Sequence, residues 1–317
     1  MGMLVEGEWK TEREKESSDG RFVRAATTFR ERVTADGSSG FPAEAGRYHL
    51  YVSWACPWAH RTAIMRRLKG LEEEISLSSV QPYMGENGWA FSDGFLDPLY
   101  GASYLREIYT KADPDYTGRV TTPVLWDKEE ETIVNNESRE IMNMLDLEFE
   151  DFATTDANFY PEELRAEIEE TLDRLYDPVN NGVYRAGFAR KQAAYEEAVT
   201  ELFEALEHWE NALSRQRYLC GDAITEADWA FFTTLVRFDS VYHYHFKCNL
   251  RRIVDYSNLW GYLRDLYQHP GVAATVDLGH IKEHYYGSHE SINPNRIVPK
   301  GPILDLNQPH DRKRLSG

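Results

Sequence analysis

The pattern of apolar residues changes near residue 160, and this change constrains the fold more than any other feature of the chain. Before it, short runs rich in β-branched and aromatic residues, such as 48–53 and 124–126, are typical of strands. After it, apolar residues recur at helical spacing over long stretches such as 191–214, which is typical of amphipathic helices. The sequence therefore predicts a mixed α/β domain followed by an all-helical domain.

The first half predicts strands and helices in the order βαβ, then ββα. Its predicted elements are strands at 48–53, 75–80, 124–126 and 132–134, and helices at 57–70 and 137–145. Residues 82–115 show no clear period and are predicted to form an inserted loop region, which in a compact domain is often functional. In the second half, helices are predicted at 161–176, 191–214, 225–242 and 259–267.

Both ends of the chain differ from these two halves. The polar N-terminal stretch is broken at 17–20 and 37–40, so it is predicted to wrap around the fold rather than build it. The C-terminal stretch is rich in Pro, Gly and charge and is predicted to be an irregular tail. The predicted organisation is an N-terminal extension (1–40), a mixed α/β domain (41–150), an all-helical domain (155–290) and a C-terminal tail (291–317).

A net charge of −18 argues against two classes of partner. A surface this acidic repels nucleic acid unless it carries a basic patch, and no such patch is found. The same charge opposes binding to anionic membranes, and no apolar run approaches the roughly 20 residues that span a bilayer. The charged N-terminus does not resemble a secretory signal, and three cysteines do not form a disulfide framework, so a cytoplasmic location is expected. The acidity is also compatible with a salt-adapted source, which composition alone leaves open.

The segment SWACPWAHR places Cys56 where a predicted strand ends and a predicted helix begins. The unpaired N–H groups and the positive dipole end of a helix N-terminus stabilise a thiolate, which is the reactive form of cysteine. His60 and Arg61, one turn on, are expected to add positive charge. Ala59 occupies the position of the second cysteine of a dithiol site, so an external thiol must resolve any mixed disulfide. The alternative is a structural cysteine at a strand–helix joint.

Several segments in a fixed order carry a resemblance to a known family. They are SWACPWAHRT, GWAF, RVTTPVLWD, NNESREI, NNGVYRAGFA, VRFDSVYHYHFKCN, IKEHYY and NPNRIVPKGP, and they span about residues 50 to 301. On these segments the chain resembles the glutathionyl-hydroquinone reductases, the Xi class of the glutathione-transferase superfamily. The resemblance implies that 41–150 is a thioredoxin-like thiol-binding domain and that 155–290 is the helical C-terminal substrate domain of a glutathione transferase. It also implies a homodimer.

The resemblance also implies an activity, that of an oxidoreductase acting on a sulfur group with quinone as acceptor. Cys56 is expected to attack the sulfur of a glutathionyl-hydroquinone, and a second thiol to release the glutathione from the resulting mixed disulfide. The residues that match the glutathione site are Trp89, Arg119, Val120, Glu137 and Ser138. The residues that match the tyrosines of the quinone pocket are Tyr184, Tyr242 and Tyr285. Their hydroxyls can donate a hydrogen bond to the substrate or help to protonate the carbon that loses sulfur.

The implied partners are a small-molecule thiol and an aromatic or quinone substrate. The resemblance implies that the peptide bond before Pro123 is cis. It also implies that Glu137 and Ser138, at the start of a helix, hold the γ-glutamyl end of the thiol. The thiol is therefore expected to be glutathione or a related γ-glutamyl thiol such as γ-glutamylcysteine. Which of these thiols is used, and which quinone, does not follow from the sequence.

Other interpretations stay open at this point. Cys56 is also compatible with an omega-like thiol transferase or dehalogenase, and the fold with a non-enzymatic ligand-binding protein. His243-x-His245 and His280-x3-His284 have tolerable zinc-ligand spacings, but the surrounding residues show no matching ligand pattern, so no metal is predicted. The two other cysteines, Cys220 and Cys248, are interpreted as structural.

Overall fold

The computed structural model describes residues 2–11 and 19–315, so part of the break predicted at 17–20 lies outside the described residues. Within that part of the chain there are two compact units. The first takes in 2–11, Ala25–Ala157 and Gly279–His289, and the second takes in 19–24, Asn158–Leu278 and 290–315.

The described residues of the first unit are built on a four-stranded sheet. Its elements are β1 (Met3–Val5), β2 (Glu8–Lys10), β3 (Tyr48–Val52), α1 (Pro57–Leu68), β4 (Ser76–Ser79), α2 (Leu105–Ala112), β5 (Val124–Asp127), β6 (Thr132–Asn135) and α3 (Ser138–Leu147). The strand order is β4-β3-β5-β6, with β3 and β4 parallel and β5 antiparallel to both β3 and β6. Helices α1 and α3 pack against each other. The predicted order βαβ, then ββα, is therefore confirmed from β3 to α3, whereas β1, β2 and α2 were not predicted.

The local sequence explains where β3 ends and α1 begins. All residues of β3 are buried, as expected for a strand in the middle of a sheet. Cys56 is the N-cap of α1, and Pro57 occupies its first turn. Proline is tolerated there because the backbone N–H that it lacks would have no partner within the helix. After the C-cap Lys69, Gly70 adopts a φ of +66°, a left-handed conformation that favours glycine.

The N-terminal residues contribute more than the predicted wrapping. Strands β1 and β2 form an antiparallel hairpin, and Leu4 packs in the core cluster of the first unit together with Tyr51 and Trp126. Leu4 also pairs with Gly118 through two backbone hydrogen bonds. The polar composition of the stretch hid this role because only a few scattered apolar side chains, among them Leu4, Trp9 and Phe29, reach the core.

Residues 82–115, predicted as loop, contain helix α2. This helix buries Leu105, Ile108 and Tyr109. Its N-cap is Tyr104, whose backbone N donates to Glu107. Since N-caps are usually Ser, Thr, Asp or Asn, the start of α2 carries no ordinary sequence pattern.

One buried carboxylate orders the loop before α2. Asp97 accepts hydrogen bonds from the backbone N atoms of Leu99, Tyr100 and Ala102 and from the hydroxyl of Tyr51. The loop is therefore fixed to β3 through a polar contact that the hydrophobic pattern does not show.

The second unit is all-helical, as predicted. Its α-helices are α4 (Arg165–Leu175), α5 (Gly182–Gly187), α6 (Gln192–Ala212), α7 (Glu226–Arg237) and α8 (Ser257–Tyr267). Thr225 and Asp228 form a capping box at the start of α7, and Asp228 also accepts from the hydroxyl of Tyr262 at 2.7 Å. Short π-helical turns at Tyr176–Asn180 and Phe238–Tyr242 follow α4 and α7.

Helix α9 (Leu278–Ser288) departs from the predicted domain boundaries. The prediction placed 155–290 in one helical domain, whereas Gly279–His289 belongs to the first unit. The reason is a set of contacts with the loop after β4. His284 Nδ1 lies 2.9 Å from Pro82 O, and Ser288 Oγ accepts from Met84 N at 2.9 Å. These partners lie more than 200 residues apart in the sequence, as their separations of 202 and 204 show.

The C-terminal tail is irregular, as predicted, apart from a 3₁₀ turn at Arg312–Leu315. It is held by Arg312, which is fully buried and donates to the carbonyl oxygens of Leu213, Gln216 and Arg217 at 2.5, 2.7 and 2.7 Å. These carbonyls follow the end of α6, where a cation is favourable. Nowhere in 2–11 or 19–315 is a helix long and apolar enough to cross a membrane.

Candidate active site

The structure places Cys56 at the joint between β3 and α1, as predicted. Its carbonyl accepts the first helical hydrogen bond from His60 N at 2.9 Å. Its side chain is half-buried, and Sγ lies 3.4 Å from the carbonyl oxygen of Thr122, to which the thiol donates. The sulfur therefore sits beside the start of a helix and beside the loop that leads into β5.

The other two cysteines differ from Cys56 in their surroundings. The structure describes all three, and only Cys56 is partly exposed. Burial raises the pKa of Cys220 to about 11 and raises the pKa of Cys248 further. Both are thus held as inert thiols, which agrees with a structural role.

The two basic residues near the start of α1 are buried. Arg61 places its guanidinium 4.7 Å from the centre of the Trp58 ring, so the tryptophan is packed by a cation–π contact. His60 is 1% exposed and Arg61 is 4% exposed. That these residues add positive charge at the sulfur stays a prediction.

The loop before β5 carries the cis bond that the resemblance implies, between Thr122 and Pro123. A tyrosine beneath it holds the loop. Tyr109 OH donates to Thr121 O at 2.9 Å and accepts from Thr121 N and Asn136 Nδ2, each at 3.2 Å. Burial raises the pKa of Tyr109 to about 12, so its hydroxyl stays a donor at neutral pH.

Glu137 and Ser138 open α3, as predicted. Glu137 is the N-cap, and its Oε1 accepts from Arg139 N at 3.3 Å. Its Oε2 accepts from Thr27 Oγ1 at 3.2 Å. Ser138 is the first residue of the helix and is buried. The arrangement combines a carboxylate, a hydroxyl and helix N–H groups, which can bind an ammonium group next to a carboxylate.

The remaining residues of the predicted glutathione site lie in the same unit. Trp89 and Val120 are buried in its core cluster. The Trp89 ring stacks on His284 of α9, with ring centres 4.8 Å apart. Arg119 is half-buried, and its carbonyl accepts from Tyr116 OH at 3.2 Å.

The three predicted pocket tyrosines fall in both units. Tyr285, on α9, belongs to the first unit, where its ring contacts those of His284 and His289. Tyr184 and Tyr242 belong to the second unit and contact each other, with ring centres 6.0 Å apart.

Tyr184 has a further contact inside the second unit. The guanidinium of Arg24 lies 4.8 Å from the centre of its ring, and Arg24 Nε donates to Asn181 Oδ1 at 3.0 Å. The cation therefore packs one face of this tyrosine.

Sequence reasoning missed Tyr109 and Thr27. Tyr109 lay in the region predicted as loop, and Thr27 lay in the extension predicted to wrap the fold. Neither residue stands in a motif, so only the folded chain shows their contacts. In the part of the chain that the structure describes, no group of three or more His, Cys, Asp or Glu residues is placed to hold a metal ion.

Comparison with known protein families matches both halves of the chain. Residues 55–148 match the glutathione S-transferase N-terminal domain, and residues 192–265 match the glutathione S-transferase C-terminal domain. These matches cover the segments that carry Cys56, Glu137 and helices α6 and α7.

Individual relatives agree with the domain matches over nearly the full length. The chain is 52% identical to glutathionyl-hydroquinone reductase YqjG of Escherichia coli over 323 residues, covering 98% of each chain. The solved Xi class GST from Natrialba magadii is 56% identical, with a TM-score of 0.95, covering 100% of this chain and 98% of that one. The glutathione-bound structure of YqjG from E. coli is 50% identical, with a TM-score of 0.91, covering 98% and 99%. The chain therefore belongs to the Xi class of glutathione transferases, the family of the glutathionyl-hydroquinone reductases.

Proposed function

We propose that this protein is a glutathionyl-hydroquinone reductase that removes the glutathionyl group from an aromatic adduct through Cys56. The observation that carries the proposal is the position of the Cys56 sulfur, which is half-buried at the start of α1 and 3.4 Å from Thr122 O. A relative 52% identical to the chain is named for this activity.

The proposed reaction has two steps. In the first, the Cys56 thiolate attacks the adduct sulfur, so that an S–S bond forms and the C–S bond to the ring breaks. The electron pair of the broken bond stays on the ring carbon, which takes up a proton, and the hydroquinone leaves. In the second, the thiolate of another thiol attacks the glutathione sulfur of the mixed disulfide, which restores the Cys56 thiolate and forms a disulfide. Over both steps the ring carbon is reduced, and the thioether sulfur of the adduct and the sulfur of the second thiol are oxidised to a disulfide.

The γ-glutamyl end of the substrate is proposed to bind at the start of α3. Glu137 would pair with its ammonium group, and Ser138 with the helix N–H groups would hold its carboxylate. Trp89, Arg119 and Val120 are proposed to contact the rest of the tripeptide. The glutathione-bound structure of a relative supports a thiol of this kind. Because Glu137 and Ser138 address only the γ-glutamyl end, γ-glutamylcysteine is a second candidate.

Three tyrosines are proposed to contact the aromatic part of the substrate: Tyr184, Tyr242 and Tyr285. A phenol hydroxyl suits this role because it can donate a hydrogen bond to a substrate oxygen or a proton towards the ring. We also propose, from the family resemblance, that the protein is a homodimer. The small, odd number of cysteines favours a reducing, cytoplasmic location.

Mass spectrometry after exposure to a glutathionyl-hydroquinone tests the proposal. Without added thiol, we expect one glutathionyl group on Cys56 for each hydroquinone released, and added glutathione should remove it. Cys56→Ser should form no adduct and release no hydroquinone. Cys220→Ser is the matched control, because its buried thiol takes no part. Release of hydroquinone by Cys56→Ser, or a glutathionyl group on another residue, would contradict the proposal.

A further inference from the structure

We propose that Thr27 is a positioning residue for Glu137, so that the N-terminal segment (residues 25–31) belongs to the thiol site. The inference rests on the proposed role of Glu137 in binding the γ-glutamyl ammonium group. It gives a task to a part of the chain for which the sequence pattern indicated only a wrapping role.

Backbone pairing holds the N-terminal segment along the end of β6. Arg30 forms an antiparallel bridge with Asn135. Asn136 N donates to Phe29 O at 3.1 Å, and Asn136 Oδ1 accepts from Phe29 N at 3.2 Å. Because Asn135 and Asn136 directly precede Glu137, this pairing fixes the segment beside the start of α3.

The carboxylate of Glu137 is held at both oxygens. Oε1 accepts from Arg139 N at 3.3 Å, which is the N-cap bond of α3. Oε2 accepts from Thr27 Oγ1 at 3.2 Å, across 110 positions of sequence. Each carboxylate oxygen has two lone pairs, so both oxygens can accept further donors from a ligand. The carboxylate is thus oriented before the ligand arrives, and a preorganised group loses less freedom on binding.

A hydroxyl suits this task because it orients the carboxylate without neutralising it. The cation of the same segment, Arg30, forms its ion pair with Glu140 instead. The contact with Thr27 therefore places no cation on the Glu137 carboxylate, whereas an arginine at position 27 would compete with an ammonium group of the ligand.

Steady-state kinetics with two adducts of one hydroquinone test the inference. One adduct carries glutathione, and the other carries glutathione acetylated at its amino group. We expect Thr27→Val to raise the KM for the first adduct about three- to tenfold, the scale of one weakened hydrogen bond to a charged group, with kcat little changed. For the acetylated adduct, which has no ammonium group, the KM should be the same in wild type and variant.

Two further variants make the experiment specific. Thr27→Ser retains a donor and should recover most of the lost affinity. Thr34→Val removes a threonine hydroxyl that lies outside residues 25–31 and donates to Ser39 Oγ, and it should leave both KM values unchanged.

Glu137→Gln separates the inference from the proposed function. If Glu137→Gln raises the KM of the glutathione adduct and Thr27→Val does not, the inference is wrong and the function stands. If Thr27→Val raises the KM of both adducts equally, Thr27 has only a structural role and the inference is again wrong. If neither variant changes any KM, the role of Glu137 fails together with the inference, while the mixed disulfide on Cys56 still decides the function.

Discussion

Replacing Tyr109 with Phe removes one hydroxyl from beneath the predicted thiol site and leaves the ring in place. That hydroxyl donates to Thr121 O and accepts from Thr121 N and Asn136 Nδ2. Thr121 belongs to the loop that leads to Thr122, the partner of Cys56, and Asn136 precedes Glu137. A single atom therefore links the two stretches of chain that carry the proposed thiol-binding residues.

The expected loss of stability in Tyr109→Phe follows from the buried polar groups that lose their hydrogen-bond partner. Tyr109 is fully buried and Asn136 is 3% exposed, so solvent reaches this part of the network poorly. A buried hydrogen bond contributes about 1 kcal/mol, and a buried amide left without its partner costs about 1–3 kcal/mol. The loss of the bonds to Thr121 and Asn136 is therefore expected to lower the free energy of unfolding by about 3 kcal/mol.

Urea unfolding and kinetics on the same variant measure this prediction. The midpoint of unfolding should fall in proportion to the lost stability, with the slope unchanged. Because the segments around Thr121 and Asn136 both lose a hydrogen bond that holds them in place, the KM for the glutathionyl adduct should rise as well. A free energy of unfolding within about 1 kcal/mol of wild type, together with an unchanged KM, would refute the reasoning.

Two further predictions concern stability. Burial lowers the pKa of His49 to about 4, whereas the pKa of a histidine in the unfolded chain is about 6.5. The neutral side chain of His49 therefore contributes its full stability above pH 6.5, and this contribution is lost as the pH falls towards 4. Between pH 7 and 4.5, the free energy of unfolding measured in urea should therefore fall by about 2.5 kcal/mol less for His49→Gln than for wild type. An equal fall in the two proteins would contradict this. Arg312→Ala should lower the free energy of unfolding by about 3–5 kcal/mol, because three carbonyl groups at the end of α6 lose a buried donor. A melting temperature equal to that of wild type would show that the tail does not anchor α6.

Elements with local sequence patterns were predicted well. The joint between β3 and α1 combines a buried β-rich run with Pro57 in the first helical turn and Gly70 after the last, and each of these acts on its own neighbours. The capping box at Thr225 and Asp228 is equally local. Such features are visible in a sequence because the physical interaction spans only a few residues.

Elements that depend on distant contacts were not predicted. Helix α2 has an unusual N-cap residue, Tyr104, and its burial of Ile108 and Tyr109 in the core adds to the capping bond with Glu107. Helix α9 joins the first unit through Pro82 and Met84, which no periodicity connects to it. In both cases the deciding energy comes from tertiary packing, which overrides local propensity.

The same division holds within the candidate site. Cys56, Glu137 and Ser138 stand in short motifs, so a resemblance could assign them. The groups that hold these residues in place come from outside the motifs, with Tyr109 below the loop before β5 and Thr27 against the carboxylate of Glu137. A side chain that orients a ligand-binding group contributes to affinity by limiting its freedom before binding. Substitution of Thr27 should therefore change the affinity for γ-glutamyl thiols even though this residue lies outside the sequence segments that carry the family resemblance.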